Sequence, residues 1–142
     1  MARTRWNARE ADRLLNSQSG PVGRDLARKG RRVEAEQRRT APVSSDGSHG
    51  RPPGYLRDHT YSRLGTDERG LHVDIGTDAT TPDGFPYPLV QELGSRPHVI
   101  ESKGDYPLRN PKTGQVFGRR VQHPGTDPQP WLRPSLDVLR DE

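Results

Sequence analysis

The sequence predicts an α+β fold: a small antiparallel sheet packed against a long N-terminal amphipathic helix and a C-terminal helix, with long loops, in a single domain over residues 1–142. Three observations predict it. Residues 21–40 carry apolar side chains at helical spacing; residues 70–78 alternate apolar and polar; and residues 128–140 gather Trp131, Leu132, Leu136 and Leu139 on one helical side.

Taken in order, residues 4–16 read as a first short helix or arm, with Ala8, Ala11 and Leu15 on one side, and "NSQSGP" breaks it. Pro21 suits the first turn of a second helix, with Ser19 or Gly20 as its cap. Within 21–40, Val22, Leu26 and Val33 fall on one narrow stripe, while Arg24, Arg28, Arg31 and Arg38 fall on the opposite face. That basic face is either a docking surface for phosphate or acidic protein, or a solvated face with Glu34 and Glu36 nearby. Pro42 and Gly47 stop the helix, and 41–56 reads as a long exposed loop whose length suits contact with something else.

A strand is expected over 57–64 and a half-buried one over 70–78, where Leu71, Val73 and Ile75 point one way and His72 and Asp74 the other. "TDERG" at 66–70 joins them as a hairpin. "YPLVQELG" predicts a short helix stopped by Gly94. The segments 96–102 and 114–122 bracket a turn-rich insert, with "NPKTG" at 110–114 as its hairpin turn. Asp127 is the expected cap of a last helix running from about 128 to 140.

Composition narrows the function. Hydrophobic residues make up 27% and the mean hydropathy is −1.07, so only a thin core can form. Cysteine is absent, which removes disulfide staples, a cysteine nucleophile and thiolate zinc sites. The N-terminal stretch is too charged for a signal peptide, and no apolar run is long enough for a membrane span. Residues 1–40 hold 11 basic and 5 acidic side chains, +6, and residues 41–142 hold 12 basic and 14 acidic, −2. The excess basicity is N-terminal and calls for an acidic partner, protein or nucleic acid.

Few constellations could carry chemistry. Glu101 and Lys103 form an E-x-K, with Asp74, Asp78 and Asp83 upstream, the residue types of a Mg²⁺-dependent nuclease; the aspartates equally suit local turns. His49, His59, His72, His98 and His123 form no metal-ligand spacing, and there is no phosphate loop or nucleophile elbow. The expectation is a protein without catalysis, metal or cofactor, with nucleic-acid binding through the arginine face as the alternative and the nuclease behind it.

The order of segments carries a resemblance. "RRTAPV", then "GYLRDHTY", "VDIGTD", "PYPLVQELGSRPH" and finally "VQHPGTDPQPWLRPSL" together resemble the tail-component family of long-tailed bacteriophages, the head–tail connector or tail completion proteins of the phage neck. The likeness spans roughly residues 20–140, which would form a connector-like core behind an N-terminal arm at 1–19. It departs in the longer "SSDGSHGRPPG" before Leu56-Arg57 and in the longer "ESKGDYPLRNPKTGQVFGRR" insert. The resemblance implies a structural virion protein that assembles as a homo-oligomeric, hexameric ring between head-completion proteins and the tail terminator or tail tube. Such a ring contacts genomic DNA in its channel, touches no membrane, and resides in the host cytoplasm before assembly. Within it, Arg24, Arg28, Arg31 and Arg38 would meet DNA or an acidic neighbour. Gln122-His123-Pro124-Gly125 reads as a strand end turning sharply, and Trp131, Leu132 and Leu136 would pack on the sheet or against the adjacent subunit. A fully buried tryptophan contributes ~2–3 kcal/mol, so Trp131→Ala is expected to damage folding or assembly and His123→Ala to be mild.

Overall fold

The computed structural model describes residues 5–47 and 49–140. It is an α+β structure with a long N-terminal helix, antiparallel strand pairs and a C-terminal 3-10 helix. The chain divides into two compact units, one formed by Met1–Pro88 with Trp131–Glu142 and the other by Leu89–Pro130.

In the first unit, α1 (Ala8–Asn16) starts at Asn7, whose side chain accepts from the Glu10 amide. α2 (Pro21–Thr40) starts at Gly20 with Pro21 at its first position, as its sequence predicts, and Pro42 lies just past its end. The buried side of α2 is formed by Gly23, Gly30, Val33 and Gln37. Two glycines at a spacing of seven let the backbone approach its neighbours. A Cβ at Gly30 would lie 2.7 Å from Val73 Cγ2, and one at Gly23 only 2.2 Å from the Gln18 carbonyl oxygen. Of the expected apolar stripe, Val33 lies on the buried side and is fully buried, while Val22 and Leu26 are half-buried at its flank.

The strand expected at 57–64 begins later. Gly54, at φ 79°, turns the chain into a single helical turn, α3 (Tyr55–Asp58), and Thr60 closes it by donating its hydroxyl to the Arg57 carbonyl at 2.8 Å. β1 (Thr60–Asp67) then pairs antiparallel with β2 (Gly70–Thr77) through a turn at Glu68-Arg69. Ser62, Leu64, Val73 and Ile75 occupy one face of this hairpin, and that face meets α2: Ser62 donates to Glu34 at 2.9 Å, and Val73 sits beside Gly30. Loop 41–56 is tied down rather than free, because Arg51 donates to the carbonyls of Thr80 and Thr81 at 2.7 and 3.1 Å.

The predicted helix from 128 to 140 does not form as such, and Asp127 caps nothing helical. Only Pro134–Leu139 coils, as a 3-10 helix. Pro128, Pro130 and Pro134 each lack an amide hydrogen and restrict the residue before them, so 127–133 stays outside the helix. The extended approach delivers Trp131 into the core with Ala41, Leu56, Ala79 and Tyr87, where it is 3% exposed. Ser135 rather than Leu136 is the buried residue of the 3-10 helix, and Arg32 of α2 donates to the Val138 carbonyl at 2.9 Å.

α4 (Tyr87–Leu93) leads into the second unit and stops at Gly94, whose φ is 72°. There β3 (His98–Glu101) pairs antiparallel with β6 (Arg120–His123), and β4 (Leu108–Arg109) with β5 (Val116–Gly118), so that one hairpin nests inside the other. The inner turn is the expected one at 110–114: the Asn110 side chain accepts from the amides of Lys112 and Thr113 at 2.9 and 3.3 Å. The Ser95–Thr126 bridge closes the base of the arm.

Candidate interaction surfaces

Arg24, Arg28 and Arg31 lie at spacings of four and three along α2, which places them within one exposed arc. Each is held differently. Arg24 donates to the Ser19 carbonyl at 2.6 Å, closing the corner between α1 and α2. Arg28 pairs with Asp25, which also meets Lys29 at 3.1 Å. The Lys29 hydrogen bond, with smaller help from Arg28, holds the Asp25 carboxyl below the usual aspartate range. Arg31 is exposed, with no hydrogen-bond or ion-pair partner among the described residues. Together with Pro21 and Asp25 these three arginines line a shallow open groove.

Arg38 does different work. Its guanidinium donates to Glu34 at 3.1 Å and to the Thr60 carbonyl at 3.1 Å, fastening the last turns of α2 to the start of β1. Helical spacing alone puts it with the other three; the neighbouring strand claims it.

The outward face of the β1–β2 hairpin carries His72 and Asp74, as the alternation predicts. Alternation puts Arg63, Gly65, His72 and Asp74 on the side away from α2. The His72 ring lies over Gly65, between Asp67 at 3.8 Å and Asp74 at 3.7 Å. Asp74 is 71% exposed. Further along, Asp78 accepts from His59 at 2.9 Å and from Arg63 at 3.1 Å. These bonds, His59's first, lower its carboxyl from the ordinary value of 3.8.

The three C-terminal residues separate. Trp131 is enclosed by the chain's own core, Leu132 packs against that core, and Leu136 is 49% exposed. Beside Trp131 in the same cluster, burial pushes the Tyr87 phenol above its usual range.

The two members of the E-x-K pair have different surroundings. Glu101 pairs with Arg120 across β3–β6 at 3.3 Å, and Lys103 lies exposed beyond the strand. Among the described residues no group of three or more His, Asp or Glu gathers where a metal ion could be held. His98 and His123 face one another across the same pair, ring centroids 4.9 Å apart. His98 Nδ1 donates to the Arg96 carbonyl, and His123 Nδ1 accepts from the Gly125 amide at 3.1 Å. His123 thus holds the sharp turn in which Gly125 adopts φ 90°.

The largest feature missed by the sequence reading is the apolar surface of the second unit. None of the hydrophobic side chains from Leu89 to Pro130 is buried; the buried side chain there is Glu92. Leu89, Leu93, Tyr106, Val116 and Phe117 are each more than two-fifths exposed. No described helix is long and apolar enough to cross a membrane. Comparison with protein-family models, curated proteins and solved structures gives no match.

Proposed function

We propose that this chain is a structural protein of a tailed bacteriophage neck, one subunit of a hexameric ring that joins the DNA-filled head to the tail. The observation that carries this reading is the Leu89–Pro130 arm. It spends about 40 residues on two nested strand pairs and buries no apolar side chain in doing so. Apolar surface in that amount marks a contact site, and ring neighbours would cover it. The order of segments shared with head–tail connector and tail completion proteins supports the same reading, as does the small core of Val33, Ala41, Leu56, Ala79, Tyr87 and Trp131. A subunit whose role is contact needs no gathered catalytic set. On this reading the ring meets head-completion proteins on one side and the tail terminator or tail tube on the other, with DNA passing through its channel. It works without catalysis or cofactor, first in the host cytoplasm and then in the virion.

The test is electron microscopy of lysates from the encoding phage with this gene removed. Filled heads and free tails left unjoined, and joined again when the chain is supplied in trans, are expected. Normally joined virions would refute the proposal.

A further inference from the structure

Resting on the ring reading, we infer that the ring is built head to tail through charge: the Arg24–Arg28–Arg31 arc of one copy docks on the Asp67–Asp74 face of the β1–β2 hairpin of the next. The two faces are separate surfaces of the first unit. α2 turns Gly23, Gly30, Val33 and Gln37 inward and the arginine arc outward. The hairpin turns Ser62 and Val73 toward α2 and, one residue along, Arg63 and Asp74 away from it.

The charges match in sign and in availability. Arg31 has no partner among the described residues, and Asp74, 71% exposed, lies across from Arg63 in the strand register with its carboxylate 3.7 Å from the His72 ring. The hairpin with its following residue carries Asp67, Glu68, Asp74 and Asp78 against Arg63 and Arg69, while residues 1–40 carry +6. A molecule basic on one face and acidic on another repels copies that approach face to like face. It favours a heterologous contact, and a heterologous contact whose rotation closes makes a ring. The occupant of the arginine arc is therefore a second copy of this chain. The apolar arm supplies area, and the charged faces supply direction.

Charge reversal in the full-length chain tests this, with assembly read by native mass spectrometry of the concentrated protein and of necks released from virions. Arg31→Glu and Asp74→Arg, each alone, are expected to lower ring formation by about tenfold or more, since each sets like charges across every junction. The double variant Arg31→Glu/Asp74→Arg restores opposite charges and is expected to form rings again. An equimolar mixture of the two single variants should alternate around the ring and also recover. Rings formed equally well by the wild type and both single variants would overturn the charged interface while leaving the ring reading intact. Loss of DNA retention in Arg31→Glu with unchanged rings would assign the arc to DNA and overturn the proposal. A wild-type chain that forms no ring in solution or in necks would overturn both readings together.

Discussion

Trp131 decides whether the first unit holds together. It is the largest side chain in a core otherwise made of Ala41, Leu56, Ala79 and Tyr87, so truncation leaves a cavity that two alanines cannot fill. Trp131→Ala is expected to cost about 3–5 kcal/mol in chemical denaturation, enough to unfold a marginal domain, whereas Leu136→Ala, at an exposed position, should stay within about 0.5 kcal/mol. Asp78 governs a smaller, pH-dependent contribution. Its carboxyl titrates below the ordinary aspartate value of 3.8 because His59 and Arg63 bond to the charged form. The stability it lends is therefore present in full above that value and is lost as pH falls through the lowered one. Both partners are largely exposed, so the effect stays below about 1 kcal/mol. Asp78→Asn should lower the melting temperature slightly at neutral pH, leave it unchanged in acid below the lowered value, and so flatten the acid limb. At this scale the sequence was half legible. It pointed to Trp131 and to the arginines, but which arginine is free depends on acceptors contributed from elsewhere. Ser19 holds Arg24 and Thr60 holds Arg38, and helical spacing reports neither.

Among the elements, α2 shows why some of the fold could be read and some could not. Its start at Gly20-Pro21 and its end before Pro42 follow from local backbone chemistry, and so do the hairpin turns at 67–70 and 110–114. Its buried side is only partly marked by the apolar stripe: Val33 lies on it, but two of the positions that approach the sheet and the α1–α2 corner are glycines, which periodicity of apolar residues cannot register. They give a ranked prediction. Gly23→Ala drives a methyl onto a backbone carbonyl oxygen that cannot turn away, and should cost about 2 kcal/mol net of the gain in helix propensity. Gly30→Ala meets a Val73 methyl on a two-stranded hairpin that can shift, and should cost about 1 kcal/mol or less by the same assay. The C-terminal helix was misread for the opposite reason. The pattern Trp131, Leu132, Leu136, Leu139 satisfies a helical side, but three prolines withhold the amides that would build it, and the segment serves instead to seat Trp131. The single turn α3 rests on Gly54 in the left-handed region, a local device with no period to detect.

For the whole molecule, the sequence conveyed the fold class and the thinness of the core, but not that none of the apolar residues of 89–130 would be fully buried. Val99, Ile100, Val116 and Phe117 read as strand residues, and strand residues are ordinarily half-buried. Nothing in their spacing tells a strand covered by its own chain from one that requires a neighbour. Replacing Val116 and Phe117 together by serine removes apolar surface that this chain leaves exposed at 57% and 44%. The melting temperature should be nearly unchanged, while complementation of a phage lacking the gene should fail. A large loss of stability in the isolated chain would place those side chains in its own core. The proposed ring of this chain at the joint between head and tail can be looked for by cryo-electron microscopy of virion necks. A closed ring of density is expected at the head–tail junction, accepting the α2 and β1–β2 unit in each subunit, with the Leu89–Pro130 arm lying against an adjacent copy. A neck whose every density is assigned to other proteins, with this chain absent, would contradict it.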